Sequence, residues 1–327
     1  MALRHILQVS GASKRGWTTW LTGAVDPNRT MAIAPVVLDA LNFVNFAHHQ
    51  YQSYNGYSFA LADYYDMNIT SRWDDPNMPL LSQNDDPYYY FDRLTMPKLV
   101  VNAVGDEFQQ PDDTHYWWDS LPEPKHFLMV PNAEHSLATG ILEATPAIGT
   151  WINYLLTKRD VPTFNWVIDN STGTITVSGV PADGVVVRKY WAQTWNGTSG
   201  QGRRDFRFLN LDDPCESKIV SDGNCFNTKV FWQFEELSAI VDSAGTVTYE
   251  AKHTAPNDGT FVAFMVDVTY DKDPITGEAY ASPKDYFPDF IPRDVPGKLE
   301  FTTEVSIVPN TFPFADCSGA GCYGVLV

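Results

Sequence analysis

Positive charge is scarce in this sequence. Its 327 residues include 22 lysines and arginines against 40 aspartates and glutamates, which gives a formal net charge of −18. Binding to nucleic acid or to an anionic membrane depends on a basic face that neutralises phosphates and releases counterions. The charge balance therefore argues against nucleic acid as a partner and indicates solubility in an extracellular or acid-tolerant setting.

Long apolar runs are also missing. The longest apolar candidate, residues 31–38, ends at Asp39 and is far shorter than the ~20 residues that a membrane-spanning helix needs. Near the start, the apolar run at residues 6–9 is too short for the core of a secretory signal peptide, which takes ~7–15 residues. We therefore expect neither a membrane span nor an export signal within this sequence.

Cysteine is rare, and the four cysteines fall into two close pairs, Cys215 with Cys225 and Cys317 with Cys322. Neither pair has the short C-x₂-C spacing or the nearby histidine pair that is typical of a zinc site, so we expect no metal. The spacings favour two local disulfides, with free thiols as the alternative. Disulfides are typical of an oxidising, extracellular compartment.

Four N-x-[ST] glycosylation sequons point to the same compartment. They begin at Asn28, Asn68, Asn170 and Asn196. Together with the cysteine pairs, they predict a secreted, extracellular glycoprotein whose signal peptide was lost with the original N-terminus.

Composition and length favour two domains with sizeable cores, since 44% of the residues are hydrophobic and the chain exceeds one average domain. Up to residue 159, buried-strand patterns alternate with amphipathic helical patterns, which predicts a parallel α/β sheet. Beyond residue 160, about seven short alternating runs predict an all-β sandwich. We assign residues 1–159 to the α/β domain, 160–315 to the sandwich and 316–327 to a peripheral C-terminal tail.

The stretch GASKRGWTTW, residues 11–20, follows the first predicted strand and places Ser13 in a turn before a predicted helix. Its spacing G-x₄-G-x-T matches a phosphate-binding loop. However, Trp17 stands where such a loop needs a lysine to bind the β- and γ-phosphates. An ordinary turn serine and a nucleophilic serine remain as the other interpretations.

A nucleophile elbow fits the order of elements better, because it needs a strand, a tight turn with small residues beside the serine, and then a helix. Gly11 lies two residues before Ser13, as that turn requires. The second glycine, usual two residues after the serine, is replaced by Arg15, and Gly16 follows one place later.

A serine nucleophile of this kind also needs an orienting acid and a general base, in the chain order Ser, Asp or Glu, His. Asp106 follows the buried run after Pro97, and His135 follows the next predicted strand. Active-site loops emerge at this end of the strands in parallel sheets. Glu107 and Asp112 lie in the same loop as Asp106 and are alternative acids.

Three stretches carry a resemblance to a known family: GASKRGWTTWL, GDEF…PD and VPNAEHSL. They resemble the PhoPQ-activated pathogenicity-related protein family, and RRDFRF at residues 203–208 also resembles a family feature. The family has an α/β-hydrolase-like domain followed by a β-rich domain, and it includes a secreted regulator of cell proliferation.

The resemblance implies that Ser13 is the nucleophile, His135 the general base and Asp106 the acid that holds the imidazole. In that mechanism His135 removes the Ser13 hydroxyl proton as Oγ attacks a carbonyl carbon, and then protonates the leaving group. The backbone N–H of Lys14 would be one oxyanion donor. Arg15 is a candidate for binding a substrate carboxylate, and no cofactor is expected.

The sequence also departs from a complete α/β-hydrolase. There, the second oxyanion donor comes from a loop upstream of the elbow strand, whereas here the elbow strand begins within the first ten residues. That strand would present an unpaired apolar edge. We therefore expect an N-terminally incomplete hydrolase sheet, and weak or absent activity for the chain as written.

Two functions from different classes follow from these observations. The leading hypothesis is a secreted serine hydrolase that cleaves a peptide or an ester by a Ser-His-Asp triad. The alternative is a non-catalytic secreted signalling protein, a growth regulator that keeps the hydrolase scaffold and acts on a cell-surface receptor.

The aromatic stretch at residues 43–65 either lines a substrate pocket over Ser13 or packs cap helices against one another. We interpret His48 and His49 as surface or pocket histidines.

Overall fold

Four parallel strands form the first sheet of the computed structural model, in the spatial order β1-β2-β3-β4. The structure describes residues 7–195, 202–211, 224–270, 272–274, 276–280, 282 and 296–327. The four strands are β1 (Leu7–Ala12), β2 (Thr30–Val36), β3 (Lys98–Ala103) and β4 (Lys125–Val130). Nearly every residue of β2, β3 and β4 is buried, which is typical of parallel strands covered on both faces.

Helices connect these strands, as the alternating pattern predicts. Helix α1 (Lys14–Val25) joins β1 to β2, and α5 (Ile141–Leu156) follows β4. The face of α1 that carries Trp20 and Ala24 is buried. Because these two residues are four positions apart, they lie on the same side of the helix.

Three further helices lie in the long connection between β2 and β3, and we call this connection the cap. They are α2 (Phe43–Tyr54), α3 (Ala62–Asp66) and α4 (Met78–Asp85). Phe46, Tyr57 and Trp73 from this connection pack into one apolar cluster. This packing supports the second interpretation of the aromatic stretch, in which its rings hold the cap together.

Antiparallel strands make up the second half of the chain. They are β5 (Asn165–Ile168), β6 (Ile175–Ser178), β7 (Val186–Gln193), β8 (Leu209–Asn210), β9 (Cys225–Phe226), β10 (Gln233–Glu236), β11 (Ile240–Val241), β12 (Val247–Ala251), β13 (Val262–Tyr270), β14 (Leu299–Thr302) and β15 (Ser306–Val308). One sheet has the order β10-β7-β13-β14, with β15 also paired to β13, and a second has the order β11-β12-β6-β5. Strands β8 and β9 form a separate pair.

The two larger antiparallel sheets face each other across one core. Val177 of β6 and Ala251 of β12 belong to the same apolar cluster as Phe264 and Val266 of β13. The structure therefore confirms the predicted fold class, in which an α/β-hydrolase-like parallel sheet is followed by antiparallel β structure.

Direct contacts join the two halves of the chain. The backbone N–H of Met129 in β4 donates a hydrogen bond of 2.9 Å to Thr302 Oγ1 in β14, and the His126 ring lies 4.7 Å from the Phe301 ring. The apolar cluster that fills the sandwich also includes Leu128 of β4 and Trp151 of α5. The domain boundary at residue 160 stays a prediction.

The C-terminal tail, residues 316–327, contacts the cap through its last residues. Its Val327 N–H donates to Tyr57 O at 2.9 Å, and the Tyr57 N–H donates to Val325 O at 2.8 Å. Cys322 is fully buried in the cap cluster. The small residues of the tail allow this close approach, since a Cβ on Gly324 would lie 3.1 Å from the Gly56 backbone.

None of the helices in the described ranges is long and apolar enough to cross a membrane.

Candidate active site

Ser13 lies in a strained turn between β1 and α1, with φ 54° and ψ −127°. A positive φ is unfavourable for a residue that carries a Cβ and persists only where the surroundings hold it. Here the Ser13 N–H donates to Val36 O at 2.9 Å, and Ser13 O accepts from the Trp17 N–H at 3.1 Å. These bonds connect the turn to β2 on one side and to the first turn of α1 on the other.

The glycines beside Ser13 permit this turn. A Cβ on Gly11 would lie 2.6 Å from Arg15 Cβ, because the start of α1 folds back over the end of β1. A Cβ on Gly16 would lie 2.8 Å from Val36 O, where α1 packs against β2. Gly16 therefore provides close helix packing although it lies one position beyond the usual second glycine.

A continuous hydrogen-bonded chain runs from Ser13 to Asp106. His135 Nε2 lies 2.7 Å from Ser13 Oγ, and His135 Nδ1 lies 2.8 Å from Asp106 Oδ2. Ser13 follows β1, Asp106 follows β3 and His135 follows β4. An ionised Asp106 can only accept, so the proton resides on Nδ1, and Nε2 is free to accept the serine hydroxyl hydrogen.

Asp106 is oriented by the backbone of its own loop. Its Oδ1 accepts hydrogen bonds from the N–H groups of Phe108 and Gln109, at 2.7 and 3.3 Å. The side chain is buried, and burial raises the pKa of Asp106 although the bonds from His135 and from the backbone oppose that rise. The second oxygen, Oδ2, is left to face the imidazole.

The two alternative acids make other contacts. Glu107 Oε2 accepts the backbone N–H of His135 at 3.0 Å, and burial raises the pKa of Glu107 to about 7. Asp112 Oδ2 lies 2.7 Å from Arg204 NH2. Among these three carboxylates, Asp106 alone bonds to the His135 ring in the described structure, so the geometry favours Asp106 as the orienting acid.

The environment of His135 favours its protonated form. Burial lowers the pKa of His135, but the hydrogen bond to Asp106 and the negative charges of Asp106 and Glu107 outweigh burial, and the net shift is upward. The ring also packs against the Phe108 ring, with centroids 4.4 Å apart. Phe108 lies within the GDEF stretch, and its contact with His135 was not predicted from the sequence.

Lys14 and Arg15 begin helix α1 immediately after Ser13, and both side chains are exposed. The Lys14 N–H is one of the first four in the helix, which have no acceptor within it. The helix dipole places partial positive charge at this end. The position of Lys14 thus suits an oxyanion donor, while its role and that of Arg15 in substrate binding stay predictions.

A buried cluster of charges was missed from the sequence. It includes Asp112 and Asp113 of the loop that follows β3, which we call the acid loop. His49 Nδ1 lies 2.6 Å from Asp113 Oδ1, and His49 Nε2 lies 3.4 Å from Asp112 Oδ1. Arg204, the second arginine of RRDFRF, pairs with Asp112 at 2.7 Å, and its guanidinium lies 3.0 Å from His49 Nε2. His49 is 1% exposed. The interpretation of His49 as a surface or pocket histidine is therefore corrected, because it is an ion-pair partner in the interior.

The charges in this cluster compensate one another. Burial would raise the pKa of Asp112, but the positive charges of Arg204 and His49 hold it well below its usual range. Burial lowers the pKa of His49, but Asp112 and Asp113 outweigh that effect and raise it to about 9. The cluster ties α2, the acid loop and the segment at residues 203–208 together.

The disulfide prediction is confirmed for Cys317 and Cys322, which are bonded to each other. Cys225 is also disulfide-bonded, and Cys215 lies outside the described residues. His48 lies close to Cys317 and Cys322 in an arrangement that resembles a set of metal ligands. Because the two sulfurs are joined, they are not available as thiolate ligands.

The predicted glycosylation sites lie on the surface where the structure describes them. Asn28, Asn68 and Asn170 are exposed, and Asn196 lies outside the described residues. Their accessibility is compatible with glycosylation, which stays a prediction.

Replacing Asp112 with asparagine should destabilise the protein, because the Arg204 and His49 charges would lose their shared buried counterion. Breaking a buried ion pair by removing one partner costs about 3–5 kcal/mol. We expect this loss in the free energy of unfolding measured by urea denaturation at pH 7. The matched control is Asp26→Asn, which removes an exposed ion pair with Arg29 and should leave the midpoint almost unchanged. Equal urea midpoints for the Asp112 and Asp26 variants would contradict the assignment of Asp112 as the buried counterion of Arg204 and His49.

Two comparisons relate this chain to known proteins. Residues 4–207 match the family model described as PhoPQ-activated pathogenicity-related protein. Autocrine proliferation repressor protein A from Dictyostelium discoideum is 35% identical over an alignment of 320 residues, which covers 95% of this chain and 57% of that protein. The chain thus spans little more than half the length of this relative.

Solved structures show a more distant likeness. Est1E from Butyrivibrio proteoclasticus is 14% identical, with a TM-score of 0.32, and the match covers 45% of this chain and 60% of Est1E. Acetyl xylan esterase 1 from Thermoanaerobacterium sp. JW/SL YS485 is 14% identical, with a TM-score of 0.35, and the match covers 48% of this chain and 46% of the esterase. Values this low carry no argument about activity or substrate. The family match and the curated relative do settle the relationship, and the chain belongs to the PhoPQ-activated pathogenicity-related protein family.

Proposed function

We propose that this protein is a serine hydrolase of the acyl type, a peptidase or an esterase. In this proposal Ser13 is the nucleophile, His135 the general base and Asp106 the acid that orients the imidazole. The observation that carries the proposal is the hydrogen-bonded chain from Asp106 through His135 to Ser13, with both links under 3 Å. The three residues follow three strands of one parallel sheet, in the chain order Ser, Asp, His.

The chemistry follows from these contacts. His135 Nε2 takes the hydroxyl proton as Ser13 Oγ forms a bond to the substrate carbonyl carbon, and Asp106 stabilises the imidazolium. The negative charge that develops on the carbonyl oxygen is stabilised by the Lys14 N–H. His135 then gives its proton to the leaving group, and a water molecule releases the acyl group from Ser13 by the same steps. Arg15, exposed beside the turn, is a candidate for binding a substrate carboxylate.

Glu107 has a positioning role in this proposal. It accepts the main-chain N–H of His135 while the neighbouring Asp106 accepts the ring N–H. Two consecutive carboxylates therefore fix both the backbone and the imidazole of the base, which limits the rotation of His135 away from Ser13.

We also propose an extracellular location, supported by the Cys317–Cys322 disulfide and by three exposed sequons.

A second candidate function is favoured by one observation, the name of the 35% identical relative as an autocrine proliferation repressor. In that case the protein regulates growth through a cell-surface receptor, and turnover at Ser13 is not required.

Replacing Ser13 with alanine should lower the hydrolysis of p-nitrophenyl acetate by at least about 10³-fold, because the nucleophile of a triad is indispensable. Ser120→Ala is the matched control, since Ser120 is an exposed serine outside the triad, and it should keep the full rate. Hydrolysis that survives in the Ser13 variant would contradict the proposal. If the Ser13 variant still represses the growth of responsive cells at full potency, the signalling function replaces it.

The pH dependence of this hydrolysis should report the neutral form of His135. Because Asp106 and Glu107 raise the pKa of His135, the rate should rise with pH through an inflection above the ordinary value of about 6.5. Asp106→Asn removes the orienting carboxylate, so the inflection should move down and the maximal rate should fall about 10⁴-fold.

Glu107→Gln provides the matched comparison, because glutamine keeps an oxygen that accepts the His135 N–H. It should lose far less activity than Asp106→Asn and should lower the inflection, since one negative charge near His135 is removed. An equal loss in the two variants would contradict the assignment of Asp106 as the orienting acid and of Glu107 as a positioning residue.

A further inference from the structure

A groove of about 820 Å³ runs between strand β5 and the segment that precedes β4. This volume lies within the usual range of ligand-binding clefts, about 300–1,000 Å³. The groove is lined by the six consecutive residues 163–168. Because successive side chains of a strand point to opposite faces, a lining of consecutive residues means that the edge of β5 faces the groove.

Strand β5 is the outermost strand of its sheet, and in the described parts of the chain it pairs with β6 alone. The ladder continues past the strand end with the Asp169 N–H donating to Thr174 O at 2.9 Å. Since hydrogen-bonded and non-bonded pairs alternate in an antiparallel ladder, the backbone groups of Trp166 and Ile168 point away from β6. They offer the groove a row of donors and acceptors, which an extended peptide can pair with.

The floor of the groove is aromatic. The Trp166 and Trp118 rings stack, with centroids 5.7 Å apart and planes at 29°, and the Phe164 ring lies 5.7 Å from Trp166. Rings in this position can cover the apolar stems of long side chains and attract a cation over their faces.

The walls of the groove are predominantly acidic. Asp119, Glu123 and Glu304 line it together with Lys125 and His115. The Lys125 ammonium donates to Trp118 O at 2.7 Å, lies 4.7 Å from the centre of the Trp118 ring and lies 4.0 Å from Glu123 Oε1. Among the described residues of the groove, Asp119 and Glu304 remain as the carboxylates that Lys125 does not neutralise. The groove therefore complements a ligand with positive charge.

Glu304 is the innermost of these carboxylates and is 9% exposed. Its Oε2 accepts a hydrogen bond from Trp166 Nε1 at 3.2 Å, and that indole donor carries no charge. Burial raises the pKa of Glu304. The nearby His115 and the side chains of Trp166 and Thr114 oppose that rise in pKa without cancelling it. The net rise reflects the cost of keeping a carboxylate charged away from water. An ammonium or guanidinium group entering the groove would offset this cost.

We propose that this groove binds an extended, basic peptide segment, which pairs with the outward edge of β5 and places a lysine or arginine side chain against Glu304. The site does not use Ser13, so it is independent of the hydrolase proposal. It adds a place where a partner or a substrate chain is recognised by its backbone and by its positive charge.

The proposal is tested by fluorescence anisotropy with a labelled peptide of sequence TKVRVKT, on protein carrying Ser13→Ala so that the probe is not cleaved. We expect saturable binding that Glu304→Gln weakens about tenfold or more, the effect of losing one charge-assisted contact. Glutamine keeps an acceptor for the Trp166 N–H, so the variant should fold normally. Glu250→Gln is the matched control, because Glu250 is a more exposed carboxylate paired with Lys252, and it should not alter binding.

Two further probes separate the parts of the proposal. A TKVRVKT peptide with N-methyl groups on alternate residues should fail to bind, since it cannot pair with the strand edge, and the acidic peptide TEVEVET should also fail. Absence of binding, equal binding by the Glu304 and Glu250 variants, or equal binding of the N-methylated probe would overturn the proposal. Binding of a chitotetraose probe in place of the peptide would assign the groove to a sugar and would also overturn it.

Discussion

The backbone of Ser13 is the constraint on which the rest of the candidate site depends. Its positive φ is sustained by hydrogen bonds to Val36 O and from the Trp17 N–H, and by Gly11 and Gly16, where a Cβ would collide with neighbouring backbone or side-chain atoms. The turn places Oγ 2.7 Å from His135 Nε2. A relaxed turn would lose this contact, and in the proposed mechanism Asp106 and Glu107 would then hold His135 with no nucleophile beside it.

The acid loop brings several carboxylates into the interior, and each has its own compensation. Asp106 accepts two backbone N–H groups and the His135 ring, whereas Asp112 is neutralised by Arg204 and His49. These separate partners explain how adjacent acids in one loop serve different purposes. Asp106 faces the imidazole of His135, and Glu107 accepts the His135 backbone N–H. Asp112 holds the cap and the RRDFRF segment in place. The precision of the site thus depends on distant parts of the chain.

The sequence allowed prediction of the features that depend on local order. The parallel sheet, the later antiparallel strands and the meeting of Ser13, Asp106 and His135 all follow from strand patterns and from the rule that strand ends share one edge. Contacts between distant segments that do not follow neighbouring strands of one sheet could not be predicted from the sequence. Arg204 and His49 are 155 positions apart, the groove depends on how β5 packs beside Trp118, and the composition of the tail does not indicate that its end packs against the cap. Such contacts arise from tertiary packing, which periodicity does not encode.

The most direct test of the account is intact-mass measurement of the folded protein after reaction with a fluorophosphonate probe, followed by peptide mapping. The probe reacts with a serine that an adjacent base has activated, so the measurement requires neither a known substrate nor rapid turnover. The account predicts a single adduct located on Ser13, which is absent from the Ser13→Ala protein. No adduct on the folded protein, or an adduct at another serine, would contradict the claim that Ser13, His135 and Asp106 form an active nucleophilic site.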